Sequence, residues 1–203
     1  GIKSTSINII ITENAKLILD PIKTPVNIWG TEDGKGLIFA DGAKIALSPD
    51  YADMSCGRIT LMTFKSEYAK NLPQNLNEVF DPSSIATGAE WSITLEDVPD
   101  ASVYRKNLVL TVGDYENAPE IKILPIGDSI TQGVTKDSQG DYPQYRTAIA
   151  ARLAANGYKP KMVGVWKYAP KNAANVVMSE DWVWHCGISG DGIKTSPNTA
   201  SSQ

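Results

Sequence analysis

Ile121-Lys122-Ile123-Leu124-Pro125-Ile126-Gly127-Asp128-Ser129-Ile130-Thr131-Gln132-Gly133 is the stretch on which the reading of this chain turns. A branched apolar run that stops at Gly-Asp-Ser is how a buried strand looks when it delivers a hydroxyl to the carboxyl edge of a sheet. Open α/β sheets bind their ligands at that edge. The same residues also read as an ordinary turn at Gly127-Asp128, with Ser129 capping the segment that follows.

Downstream the apolar period changes from strand to helix and back. Asp141 is a suitable N-cap, Pro143 is tolerated in a first helical turn, and Tyr145, Ile149 and Leu153 recur every four residues. Ala148, Ala150, Ala151, Ala154 and Ala155 add helix propensity, and Gly157 suits a left-handed stop. This pattern predicts a helix over 142–156 whose Tyr145-Ile149-Leu153 face packs on the strand ending at Ile126. Lys161 to Val165 reads as the next parallel strand, giving a βαβ unit.

These residues carry a resemblance. Lys122 to Gly133, then Gly140-Asp141-Tyr142 opening the helix, Asn156-Gly157-Tyr158 closing it and Met162-Val163-Gly164 beyond, resembles the start of the SGNH (GDSL-type) hydrolases, most of all the carbohydrate-esterase branch that includes acetylxylan esterases. Trp184-His185-Cys186-Gly187-Ile188-Ser189-Gly190 is similar to the second block of that family. The resemblance covers residues 119–195, less than half of the chain. It implies a partial α/β domain of the flavodoxin-like, three-layer kind. Ser129 would be the nucleophile, Asp128 would shape its turn, and the backbone N–H groups of Ser129 and Gly190 would serve a developing oxyanion. The implied substrate is a carbohydrate ester, with no metal or organic cofactor.

Two further blocks of the family have no counterpart. There is no Asn-Asp pair, and no Asp-X-X-His, in a chain that ends thirteen residues after Gly190. The sole histidine, His185, stands before Gly190 rather than after it, and Asp181 precedes it by four positions rather than three. His185 therefore reads first as a structural residue and second as a recruited base oriented by Asp181. Thr131 and Gln132 would line the entrance. The expectation is a truncated esterase of little activity, since loss of the base leaves only binding and oxyanion contributions, about 10³-fold over water.

From Ser4 to Val112 the chain reads as an all-β module. Candidate strands are Ile7 to Ile11, Lys16 to Leu19, Val26 to Trp29, Leu37 to Ala40, Lys44 to Leu47, Arg58 to Phe64, Trp91 to Leu95 and Leu108 to Val112. Similar alternating strands recur in 15–20, 43–48, 91–96 and 107–112, so a short β-solenoid and an antiparallel sandwich both remain open. The segment 66–87 reads as a long loop with a helical turn. Trp29, Trp91 and Tyr104 fit a β core first and a sugar-stacking surface second. The polar run 113–120 marks the junction between a β-rich domain, 1–117, and the α/β part, 118–203.

Composition narrows the partners. With 42% hydrophobic residues, 21% charged residues and a net charge of −4, the chain has the balance of a soluble globular protein and lacks the basic cluster that nucleic acid requires. No run approaches the ~18 apolar residues of a membrane span. Cys56 and Cys186 lie far apart without metal-ligand spacing and read as two free thiols, a bridge being the lesser reading. Gly1 in place of Met reads as a processed or trimmed start, and the expected location is secreted or cell-surface, with no signal segment visible in these residues. An α/β part opening at residue 121 should expose an apolar edge and favour self-association. The rival reading, from a different class, is a non-catalytic secreted or surface β-module with a structural or glycan-binding role.

Overall fold

The computed structural model describes residues 3–4, 9–28, 36–98, 105–127, 145–167, 180–182 and 184–187. The architecture is mixed α/β and mostly strand, with one α-helix and no closed barrel among the described residues. The first strands are β1 (Lys3–Ser4), β2 (Ile9–Ile11), β3 (Lys16–Leu19), β4 (Asn27–Ile28), β5 (Leu37–Phe39), β6 (Lys44–Leu47) and β7 (Gly57–Lys65). All of their mutual pairings are parallel: β1 with β4, β2 with β5, β3 with β6 and β4 with β7. The chain thus visits three faces in turn and lays a second coil on the first.

The coil has a sequence period. Ile9 faces Leu37 and Lys16 faces Lys44, each across 28 residues. Glu13-Asn14-Ala15-Lys16 and Asp41-Gly42-Ala43-Lys44 form the same corner of successive coils. Asn14 (φ 55°) and Gly42 (φ 71°) take the left-handed conformation there, which asparagine and glycine tolerate best. The Asn14 N–H donates to the Asp41 carbonyl across the stack at 3.1 Å. Ile11, Leu19, Ile28, Leu37, Ile45 and Leu47 point inward and are buried. The likeness of 15–20 to 43–48 is therefore a stacked repeat, whereas 91–96 and 107–112 belong to a different arrangement.

Those last two segments are β8 (Trp91–Asp97) and β9 (Arg105–Val112), which pair antiparallel and extend the β7 sheet in the order β1-β4-β7-β9-β8. Solenoid-like stacking and antiparallel pairing are both present, joined by β7, which neighbours β9 rather than β8 and whose ladder carries a bulge between Thr60 and Met62. In the middle of that sheet the Thr63 hydroxyl donates to the Asn107 side-chain oxygen at 2.8 Å, so two buried polar groups satisfy each other. The segment 66–87 holds three 3-10 turns, Ser66–Asn71, Leu76–Val79 and Pro82–Ser84, in place of a plain loop with one helical turn. It contributes Tyr68, Val79 and Phe80 to the main core, each at 1% exposure or less. The burial of these three side chains is what makes the segment ordered rather than loose.

The carboxyl-terminal part forms the expected βαβ unit. β10 (Glu120–Ile123) pairs in parallel with β12 (Lys159–Met162), with helix α1 (Tyr145–Ala155) between them in sequence. The second strand begins two residues before the predicted 161–165. Lys159 donates its N–H to Pro119 and Val163 donates to Ile123, so Pro160, which has no N–H, sits where none is needed toward β10. The helix ends as predicted. Gly157 is left-handed (φ 76°), its N–H bonds Ala154 O at 3.2 Å, and the Tyr158 N–H reaches Leu153 O at 3.0 Å.

One expectation about α1 is corrected. Tyr145 and Ile149 are 39% and 41% exposed, and the buried stripe is instead Arg146, Thr147, Ala150, Ala154 and Ala155. The reason is the closeness of the approach to β7. A side chain at Gly57 would start 2.8 Å from Ala155 O and 3.0 Å from Ala154 O, so only small residues fit on either side of the seam. Ala155 consequently joins the core of the β-rich part. Tyr115 adds a polar tie, its hydroxyl donating to Tyr158 O at 3.0 Å, and burial pushes its pKa up to about 12.

Two predictions follow from this packing. Gly57→Ala should lower unfolding stability by about 1–3 kcal/mol, read from urea or thermal denaturation, because the new methyl has no space. The second concerns Asp81, whose carboxyl is held below its ordinary range by Lys16 first, against the opposing effect of burial, with help from Ser83. The Lys16–Asp81 pair, 2.5 Å apart, ties β3 to the turn beyond Phe80. A lowered folded pKa stabilises above the unfolded pKa and is lost as pH falls through the folded one. Asp81→Asn, which keeps the capping oxygen, should cost less than about 1 kcal/mol at pH 7 and nothing once both carboxyl states are protonated. Thermal unfolding of both proteins from pH 7 to pH 2 checks this.

Candidate functional site

Two short strands carry the residues that lead into the motifs. β11 (Ile126–Gly127) continues the line of β10 past Pro125, and β14 (Trp184–Gly187) is its parallel neighbour, Ile126 facing Cys186 and Gly127 facing Gly187. The Cys186 N–H donates to Pro125 O at 2.8 Å and locks that register. On its other side β14 pairs antiparallel with β13 (Trp166–Lys167), Trp166 facing His185. β14 is thus the middle strand of three.

This central place explains His185. Its side chain is 1% exposed, and its backbone is so close to Gly164 that a Cβ there would collide with it. Asp181, the residue considered for orienting it, is exposed in the 3-10 turn Glu180–Trp182 that leads toward β14. The next residue, Trp182, is 4% exposed and fills a small cluster with Ala150, Ala154, Met162 and Tyr115. That cluster seats the turn on α1.

Arg146 is a residue that hydrophobic periodicity does not mark. It is fully buried, and its Nη1 donates to the Trp184 carbonyl at 3.3 Å, joining α1 to β14. Burial pushes its pKa down to about 10, because a guanidinium loses hydration there. The available signal was the four-residue recurrence of Arg146, Ala150 and Ala154, a stripe as regular as Tyr145-Ile149-Leu153 but smaller and headed by a charge. Hydrophobicity alone ranks it second.

Ser129, Asp128, Gly190, Thr131 and Gln132 lie outside the described residues, as do Trp29 and Tyr104. Trp91 is described, and its ring packs on Phe80 with centroids 5.2 Å apart and planes tilted by 59°, which places it against the core. Cys56 and Cys186 are both free and half-buried. Among the described residues no group of three histidine, cysteine, aspartate or glutamate side chains could hold a metal ion, and no helix is long and apolar enough to cross a membrane. Large apolar side chains are exposed around β11 and β13, with Ile126 at 61% and Trp166 at 54%.

Comparison with family models, with curated proteins and with solved structures returned no match. The local geometry itself can be tested. Gly164→Ala should displace β13 from β14 and cost about 1–3 kcal/mol. Denaturation gives the cost, and a larger change in Trp166 and Trp184 fluorescence than in far-ultraviolet circular dichroism would localise it.

Proposed function

We propose that this chain carries the opening βαβ portion of an SGNH-type serine esterase, behind a β-rich accessory part, and that the intact activity removes acyl groups from carbohydrate esters. The observation that carries this reading is the parallel, in-register pairing of Ile126–Gly127 with Cys186–Gly187. Both strands are described to the same end, to Gly127 two residues before Ser129 in sequence and to Gly187 three before Gly190. Ligands of open α/β sheets collect at the carboxyl ends of parallel strands, where a hydroxyl and a glycine N–H from adjacent strands can face one carbonyl group.

In this reading the Ser129 oxygen adds to the ester carbonyl while a base takes its proton. The negative oxygen is held by the Ser129 and Gly190 N–H groups, and the tetrahedral species collapses to an acyl-serine as the sugar hydroxyl leaves with a proton. Water then repeats the sequence and releases the acid. Gly187 and Gly190 suit the second strand end, because the backbone there must come near the substrate without a Cβ in between. The deep burial of His185 favours a structural role for its ring over a base that reaches substrate.

The test is Ser129→Ala. The 203-residue chain should hydrolyse p-nitrophenyl acetate slowly and should be labelled by a fluorophosphonate at Ser129, and the substitution should remove both. Turnover or labelling that persists without the Ser129 hydroxyl would sink the esterase reading.

A further inference from the structure

Beyond the Gly57 seam a cleft of about 60 Å³ lies between the two parts of the chain, lined by Pro25 and Val26 of the turn after β3, Thr60 and Met62 of β7, and Ala148 and Ala151 of α1. The helix residues explain the space. Gly57 holds α1 close at Ala154 and Ala155, and one to two turns earlier the alanines are too small to fill what lies opposite. The bulge in β7 falls between Thr60 and Met62, and a bulge bends its strand and re-aims the side chains beside it.

Thr60 is the polar group that the cleft leaves unanswered. Its hydroxyl oxygen is buried and has no hydrogen-bond partner, a cost to the fold unless a molecule from outside supplies the bond. The remaining polar groups along the cleft are engaged. The Thr63 hydroxyl donates to Asn107, Arg58 is paired with Glu96, and Asn27 and Thr147 are not free. Arg58 is the one charge among the described lining residues, and its pairing leaves no call for a charged ligand.

We propose that this cleft is a binding site for a small neutral molecule with a compact hydrocarbon body and one hydroxyl, which bonds Thr60 while its carbons meet Val26, Met62, Ala148 and Ala151. Pockets of this kind, mostly apolar with one or two placed polar groups, form preferentially where two structural units meet. The space exceeds the ~10–15 Å³ that one water needs and falls short of the ~150 Å³ that admits benzene, so the ligand has about five non-hydrogen atoms. The site does not depend on the esterase reading, and neither fails with the other.

The probe is 2-methyl-1-propanol, titrated into the 203-residue chain while methyl resonances are followed by NMR. Shifts should be confined to Val26, Thr60, Met62, Ala148 and Ala151 and should saturate, with a half-point of about 1–20 mM, inside the binding energy open to five atoms. Xenon serves as the apolar probe of the same space. Thr60→Val keeps the branched shape, suits a strand and removes the orphaned hydroxyl, so it should fold. It should weaken the alcohol by about 5- to 10-fold and leave xenon within ~2-fold of wild type. Ala151→Leu should fill the cleft and abolish both signals. If that protein does not fold, Ala151→Val replaces it and should weaken both probes together.

Shifts that rise in proportion to alcohol without saturating, or that spread through the main core, overturn the site. So does xenon binding with no saturable alcohol binding, which would make the cleft a dry apolar void. Equal alcohol affinity in wild type and Thr60→Val overturns the role of the hydroxyl, and undiminished binding in the filled variant places the ligand elsewhere.

Discussion

The contact between Gly57 and the carbonyl oxygens of Ala154 and Ala155 is the constraint from which the arrangement of the two parts follows. With no side chain at Gly57, the end of α1 can lie against the start of β7 at distances of 2.8 and 3.0 Å from the position a Cβ would take. Close approach selects the alanine face of the helix, turns Tyr145 and Ile149 outward, and brings Arg146 under the helix to reach β14. The orientation of α1, and with it the seating of β14, is therefore set by the absence of a methyl group about 90 positions earlier in the chain.

What the sequence made legible was local. The βαβ order, the left-handed stop at Gly157 and most of the short strands could be read from period and from residues with a single conformational use. The coil architecture was half legible. The corner residues Asn14 and Gly42 repeat after 28 positions, yet the antiparallel strands 91–96 and 107–112 look just as similar to the coil strands, because alternation marks a strand and not its partner. The helix face was misjudged because hydrophobicity ranks Tyr145-Ile149-Leu153 above an alanine stripe, while close packing against Gly57 of β7 ranks them the other way.

The candidate site divides along the same line. The strand that leads to the Gly-Asp-Ser motif, and the Trp184–Gly187 strand that is its neighbour, were visible as motifs. Arg146 was not, since the stripe it forms with Ala150 and Ala154 is less hydrophobic than the one beside it and is headed by a charge. His185 illustrates the opposite case. As the only histidine it invites a catalytic reading, but its place on the central strand, with Gly164 against its backbone, makes it part of the sheet interior.

The stacked coils have a kinetic consequence. Strands that meet across 28 residues need close only modest loops, so the turns from Ile9 to Leu47 can assemble from nearby chain. The Gly57 seam must instead await residues made much later. During synthesis the solenoid-like part would stand finished with an open flank on β7, and α1 would arrive as the piece that closes it.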